Sequence, residues 1–127
     1  MIQGIESVSL FSENAKNLAK FYKEKVGLKL AFEGVMGEKD KLYQFELKNG
    51  DVLYIVDHSK IKGKNKSPAR IMINFEVNDI EKEVKRLDKA GMKKIQNTYH
   101  VEGYGYIATY EDIDGNYFQV VQTRPTK

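Results

Sequence analysis

Residues 49–57 read NGDVLYIVD, and residues 114–122 read DGNYFQVVQ. Each stretch joins a polar-glycine turn to an apolar strand, and the second begins 65 residues after the first (114 − 49). The alternating stretches 6–11 (ESVSLF) and 71–77 (IMINFEV) match at the same offset. An internal repeat of this kind constrains the architecture before any single residue is considered. The sequence therefore predicts one domain, residues 1–127, built from two similar halves.

The composition is typical of a globular chain of 127 residues, with 41% hydrophobic and 31% charged residues. The absence of cysteine excludes disulfides, thiolate metal sites and a cysteine nucleophile. No apolar run has the length needed to span a bilayer. The first residues, MIQGIESVSLF, lack a basic stretch followed by an apolar core. We therefore expect no signal peptide, no membrane partner and a cytoplasmic location.

The net charge of +3 is small, and part of it is local. Four lysines alternate in KIKGKNKSPAR, residues 60–70, which contains no aromatic residue. A nucleic-acid surface is typically a basic face that also presents aromatic side chains. We interpret residues 59–69 as a solvated linker and expect no nucleic-acid partner.

Each half has the pattern of a β-α-β-β-β module, the first at about residues 1–60 and the second at about 70–124. Residues of alternating polarity predict the strands, and apolar residues at helical spacing predict one helix in each half. Gly27 and Gly91 are typical helix ends. The fold class predicted from these patterns is α+β.

Three stretches in this order resemble the vicinal oxygen chelate superfamily, which includes glyoxalase I, bleomycin-binding resistance proteins, fosfomycin-modifying enzymes and extradiol dioxygenases. Residues 5–30 (IESVSLFSENAKNLAKFYKEKVGLKL) carry Phe21-Tyr22 and Gly27 at the family's "FY…lG" positions. Residues 73–91 (INFEVNDIEKEVKRLDKAG) resemble the start of its second module. Residues 110–122 (YEDIDGNYFQVVQ) are similar to its closing "DPDGN…E" stretch.

The resemblance implies a curved, eight-stranded, half-barrel mixed sheet with helices on the convex side and the ligand on the concave side. It also implies a homodimer, in which the modules pair either within one chain or swapped between chains.

Metal-using members of the superfamily place one ligand on the first strand and one on the last strand of each module, usually histidine and glutamate. The repeat offset locates these positions at Ser7, Met72, Tyr54 and Gln119. Hydroxyl, thioether and amide groups are not the usual ligands of the metals these enzymes employ. We therefore predict no metal site and no cofactor.

The same alternation predicts which side chains line the cleft. These candidates for ligand binding are Ser7, Ser9, Phe11, Tyr54, Met72, Asn74, Glu76, Tyr106, Tyr110 and Gln119. They are aromatic or apolar with a few hydroxyl and amide groups, a combination that suits a flat or amphipathic organic molecule.

Three residues are candidates for acid or base chemistry, Glu76, Tyr54 and His100. Glu76 is the one charged side chain in the predicted cleft, and would suit either a general base or a partner for a cationic ligand. His100 lies in the stretch 98–105, which we interpret as a mobile loop able to cover a ligand. His58 follows a strand and is interpreted as a loop residue.

The favoured function is that of a metal-free, glyoxalase/bleomycin-resistance-like protein that binds a small organic molecule, with a role in sequestration or resistance. The net positive charge argues against bleomycin, which is cationic. One alternative is an enzyme of the same superfamily (a lyase, isomerase or dioxygenase) using a metal-independent acid or base or a non-standard metal site. Another is a structural or regulatory dimer without a small ligand.

Overall fold

The computed structural model describes residues 1–123. Eight strands and two α-helices lie in this part of the chain, together with one π-helical turn, here called the π-turn. In chain order they are β1 (Val8–Ser12), α1 (Ala15–Phe21), the π-turn (Tyr22–Val26), β2 (Lys29–Met36), β3 (Asp40–Glu46), β4 (Val52–Asp57), β5 (Ile73–Glu76), α2 (Ile80–Lys89), β6 (Lys93–Val101), β7 (Gly105–Glu111) and β8 (Tyr117–Gln122).

The chain divides into two compact units, Met1–Gly63 (unit 1) and Lys64 onward (unit 2). Unit 1 holds a four-stranded sheet in the order β1-β4-β3-β2, and unit 2 repeats it as β5-β8-β7-β6. In each sheet the first strand runs parallel to the last, and the other pairs are antiparallel. The predicted α+β class and the repeated β-α-β-β-β order are confirmed. Residue 124, the predicted end of the second module, lies outside the described residues.

Each helix packs against one face of its own sheet, which we call the helix face. In unit 1, Phe45 of β3 pairs with Leu53 of β4, and both are almost fully buried. Ala15 and Leu18 of α1 are also fully buried. Burying each large apolar side chain contributes about 1.5–3 kcal/mol, so this layer is the core of unit 1.

The last strand of each unit also fixes the start of its helix. The Ala15 N–H donates to Asp57 Oδ1 at 2.8 Å, and the equivalent Ile80 N–H donates to Gln122 Oε1 at 2.9 Å. Asp57 additionally accepts a hydrogen bond from the Lys41 N–H at 2.9 Å. Free N–H groups at a helix start need such acceptors, so the helix and the sheet are tied together at the same point in both units.

The two helical stretches differ in length by one residue. Twelve positions separate Ala15 from Gly27 (27 − 15), whereas eleven separate Ile80 from Gly91 (91 − 80). The extra residue is taken up by the π-turn, in which the Gly27 N–H donates to the Tyr22 carbonyl at 3.0 Å. A π-turn places one more residue in a helical turn than the α-helix does, because its hydrogen bond spans five residues instead of four.

The stretch 98–105 is not the loop predicted from the sequence. β6 continues to Val101, and its residues pair with β7 as far as Val101 opposite Gly105. Only residues 102–104 form the turn, where Gly103 takes a φ of 77°. The tyrosines of this stretch favour strand structure, and their β propensity outweighs the glycines that suggested a loop.

Among residues 1–123, no helix combines the length and apolar character that a membrane crossing would demand.

Candidate functional site

The strand register shows that the repeat offset of 65 residues holds in the folded chain. Ser9 lies opposite Tyr54 in the β1–β4 pair, and Asn74 lies opposite Gln119 in the β5–β8 pair. These two pairs are equivalent because both members are displaced by 65 residues. Ser7 and Met72 lie just before β1 and β5, two residues upstream of Ser9 and Asn74.

The donors at these positions do not fit a divalent metal ion. Neutral hydroxyl, thioether and amide groups provide no negative charge and no imidazole nitrogen. Within residues 1–123 there is also no cluster of three or more histidine, aspartate or glutamate side chains able to hold a metal. The Gln119 amide is instead engaged with its neighbour, since Nε2 donates to Thr109 Oγ1 at 3.0 Å.

The sheet face opposite α1, which we call the open face of unit 1, presents exposed aromatic rings. Phe11 of β1 is 46% exposed and Phe32 of β2 is 57% exposed. Tyr54 of β4 and Gln44 of β3 pair directly between these edges, and Gln44 also pairs with Phe32. Partly exposed aromatic rings beside one amide form a surface suited to stacking and to orienting hydrogen bonds.

Gly34 allows the Phe32 ring to lie along β2. A methyl group built at Gly34 would come within 2.9 Å of the ring, closer than real Cβ atoms approach their neighbours. The missing side chain therefore leaves the space that the ring occupies. At the other edge, Phe11 makes an edge-to-face contact with His58, with ring centroids 5.3 Å apart. His58 is thus a packing partner of the open face of unit 1.

The equivalent open face of unit 2 is more polar. Beside Tyr99 and Ile107 it presents Asn74, the Gln119–Thr109 hydrogen bond and Glu76. Glu76 is exposed, and its carboxylate lies 3.4 Å from the Thr123 hydroxyl. The burial that the general-base hypothesis requires is absent, so Glu76 suits a charged or polar contact better than proton abstraction.

Two predicted cleft residues, Tyr106 and Tyr110, lie on the wrong face for that role. In the β7–β8 pair, Gln119 is opposite Thr109, whereas Tyr110 is opposite Phe118. Adjacent strand positions point to opposite faces, so Tyr110 faces α2, where its hydroxyl donates to Asp88 at 3.0 Å. Tyr106 shares that face, and the prediction for both tyrosines is wrong.

Tyr110 is a structural residue. It is fully buried, and its ring stacks on Phe118 with centroids 6.0 Å apart. Burial, with the hydrogen bond to the Asp88 carboxylate and its charge, raises the pKa of Tyr110 well above its ordinary value. The hydrogen bond from Lys94 lowers the pKa of Asp88. The cluster therefore stays a protonated phenol on an ionised carboxylate.

His100 lies on β6 directly opposite Tyr106, with ring centroids 4.9 Å apart. It is exposed and belongs to a regular hairpin, not to a loop over the open face of unit 2. A role as a base therefore has no support from its position.

Sequence reasoning missed Phe32, Gln44 and Thr109 as members of the open faces. The hairpin turns are the signal for Gln44 and Thr109. The turn at Asn49-Gly50 sets Gln44 opposite Tyr54, and the turn of the second hairpin sets Thr109 opposite Gln119. No comparable signal marks Phe32. A register shift between Leu30 and Phe32 reverses the alternation of β2, and the sequence does not show where a bulge lies.

Comparison with known proteins agrees with this architecture. Residues 4–120 match the family model described as "Glyoxalase/Bleomycin resistance protein/Dioxygenase superfamily". One relative is the uncharacterized protein YetH of Bacillus subtilis (strain 168), which is 27% identical over 119 residues, 93% of this chain and 97% of YetH.

Two solved structures share the fold at low sequence identity. TnmS3, an antibiotic binding protein from Streptomyces sp. CB03234, superposes with a TM-score of 0.78 at 20% identity, covering 97% of this chain and 98% of TnmS3. The fosfomycin resistance protein FosX from Listeria monocytogenes gives a TM-score of 0.75 at 15% identity, with 98% and 96% covered. By the match to its family model, the chain belongs to the glyoxalase/bleomycin resistance protein/dioxygenase superfamily.

Proposed function

We propose that the protein binds a small organic molecule through the open face of unit 1, without a metal ion among the binding groups. The exposed Phe11 and Phe32 rings are the observation that carries this proposal. Exposing two large aromatic side chains to water costs free energy. A ligand that covers them part of the time would reduce this cost. The antibiotic-binding protein TnmS3 has the same fold, which supports a binding role.

The residues on the open face of unit 1 indicate the chemistry of the ligand. Phe11, Phe32 and Tyr54 offer ring faces for stacking, while Gln44 and Ser9 offer a few hydrogen bonds. None of these five side chains is charged. The preferred ligand is therefore flat, largely apolar and uncharged over this surface.

The proposed site uses no metal ion, because the positions of the usual metal ligands are occupied by Ser7, Tyr54, Met72 and Gln119. Native mass spectrometry of the untagged protein, purified without added metal, tests this directly. A metal-free protein is expected, and an organic adduct would begin to identify the ligand. One divalent ion per chain that survives dialysis would contradict the metal-free proposal.

The aromatic surface is tested with 2-naphthol, a flat fluorescent molecule that is neutral at pH 7. The Phe32→Ala variant is expected to bind it at least about tenfold more weakly, because one stacked ring is lost. Tyr104→Ala is the matched control, since Tyr104 is 41% exposed but lies in the β6–β7 turn. Equal weakening in both variants, or no binding to the wild type, would contradict the proposal.

We also propose that the protein acts as a homodimer in the cytoplasm and binds no nucleic acid. Ile2 and Ile5 are 92% and 87% exposed, a degree of exposure that a second copy would relieve. Light scattering after size-exclusion chromatography is expected to give twice the chain mass of 14.6 kDa. A monomer at micromolar concentration would contradict the dimer.

A further inference from the structure

A groove lies on the helix face of unit 1, away from the open face. It runs between α1 with the π-turn on one side and β2–β3 on the other, and its volume is about 340 Å³. This volume is at the lower end of the range for small-molecule sites. No residue of this groove belongs to the candidate site described above.

Four lysines surround the groove. Lys16, Lys20 and Lys23 come from one side of the helical stretch at spacings of four and three, and Lys41 comes from β3. Glu24 and Glu33 also line it, which leaves two positive charges in excess. Within the described residues 1–123, no ion pair joins any of these four lysines to a carboxylate.

Unpaired lysines at adjacent helical positions repel one another, so their arrangement costs stability. A bound anion would relieve this repulsion, and it would gain most where several ammonium groups converge on one space. The charge pattern therefore points to an anionic group at the rim of the groove.

The floor of the groove is apolar and carries one hydroxyl. Leu30 and Tyr43 are half-buried and Phe45 is fully buried. Burial, together with the nearby Glu33 and Asp57 carboxylates, raises the pKa of Tyr43. Its hydroxyl therefore remains a donor, which complements an acceptor oxygen on the ligand.

We propose that this groove is a second binding site, which takes a small organic anion. A ring or short apolar body lies on the half-buried Leu30, and a phosphate or carboxylate group lies among Lys16, Lys20, Lys23 and Lys41. The two glutamates at the rim limit the site to a compact anion, because an extended polyanion would also meet their charges.

The test uses 2-naphthyl phosphate, which carries the ring and the anion together, and compares it with 2-naphthol. Amide NMR spectra recorded during titration locate each probe on the chain. The phosphate is expected to shift the amides of α1, the π-turn and β3, while 2-naphthol leaves them unchanged. Raising the salt from 50 to 200 mM is expected to weaken the phosphate complex.

The variant Lys20→Gln/Lys41→Gln removes two of the four charges and keeps both exposed positions polar. Its affinity for 2-naphthyl phosphate is expected to fall about tenfold. Lys60→Gln/Lys62→Gln is the matched control, since it removes the same charge from the linker. Its affinity is expected to match that of the wild type.

Several results would overturn the proposal. Equal weakening by both double variants would show a diffuse charge effect, and equal binding of 2-naphthol in the groove would show that the anion is not recognised. A single-stranded oligonucleotide or a vesicle rich in anionic lipid that displaces the probe would assign the lysines to a macromolecular partner. If the open face of unit 1 proves not to bind a ligand, this test still applies, because binding in the groove and binding on the open face shift different amides.

Discussion

The sheets of unit 1 and unit 2 have the same strand order, but charged and polar groups are paired on the helix face of unit 2 and not on that of unit 1. In unit 2, Lys94 reaches Asp88 at 2.8 Å, and Tyr110 bonds the same carboxylate, so the space between helix and sheet is bridged. The positions of Lys94 and Tyr110 are taken in unit 1 by Leu30 and Phe45, which pair with each other in the same register.

The helix side of this comparison also changes. Where α2 carries Asp88, the corresponding part of unit 1 carries Lys23 and Glu24 in the π-turn. Unit 1 therefore keeps apolar residues at the floor and unpaired cations at the rim. A few charge and size changes on one scaffold therefore decide whether the space between helix and sheet is closed or open to a ligand.

The largest expected loss of stability comes from removing the buried Tyr110 side chain on the helix face of unit 2. Tyr110→Ala removes a fully buried ring and leaves the Asp88 carboxylate without one donor. We expect a loss of about 3–5 kcal/mol in the free energy of unfolding. Urea unfolding measures it, with the exposed Tyr104→Ala as control at less than about 0.5 kcal/mol. Similar values for both variants would show that Tyr110 is not a core residue.

Removing the side-chain acceptor at the start of α1 is expected to cost more stability than removing the one at the start of α2. Asp57→Ala removes the acceptor for two N–H groups, those of Ala15 and Lys41, and a negative charge near a helix start. We expect a loss of about 2 kcal/mol. Gln122→Ala removes a neutral acceptor from Ile80 and is expected to cost about half as much. Urea midpoints measured together test the order, and a larger loss for Gln122→Ala would reverse it.

Two substitutions would give the helix face of unit 1 the charge arrangement of unit 2. The double variant Lys23→Asp/Leu30→Lys places an acid on the helical side and a lysine on β2. We expect the new pair to close the groove and to weaken 2-naphthyl phosphate binding at least about tenfold. The single variant Leu30→Met keeps the floor apolar and serves as control. Unchanged binding in the double variant would show that groove closure has no effect.

The smallest effect is expected from Asp88→Asn. The side chain is 43% exposed, so its pair with Lys94 contributes only about 0.5–1 kcal/mol. Because the pKa of Asp88 is lowered in the folded protein, its contribution is present at neutral pH and is lost as the pH falls below its ordinary value. The stability difference from wild type should therefore be larger at pH 7 than at pH 3. Equal stability differences at the two pH values would contradict this expectation.

Much of the fold could be predicted because the repeat and the turns are local signals. The Asn49-Gly50 turn and the glycines that end the helices each require a backbone conformation that few residues adopt readily. The positions of Ser7, Tyr54, Met72 and Gln119 follow from the ligand pattern that the family resemblance implies, combined with the repeat offset. The pairing of Ser9 with Tyr54 and of Asn74 with Gln119 confirms that offset.

The errors arose where long-range packing decides the outcome. Alternation alone does not show which side of β7 is buried, and the prediction of Tyr110 in the cleft is wrong because the hairpin register places it opposite Phe118 on the helix face. The lysine groove was missed because it needs α1 and β3 to meet, and no local pattern reports that contact. The bulge that turns Phe32 to the open face is likewise invisible in the alternation of β2.

The π-turn makes unit 1 tolerant of a change in chain length. One added residue in a regular helix would rotate every later side chain by about 100°, and the change would pass into the sheet. In unit 1 the π-turn takes up the added residue before Gly27. Lys29 therefore still pairs with Glu46, as Lys93 pairs with Glu111 in unit 2. Residues 22–26 are therefore where a deletion or insertion can be made while the strand register survives, which gives protein engineers a place to reshape the lysine rim without redesigning the sheet.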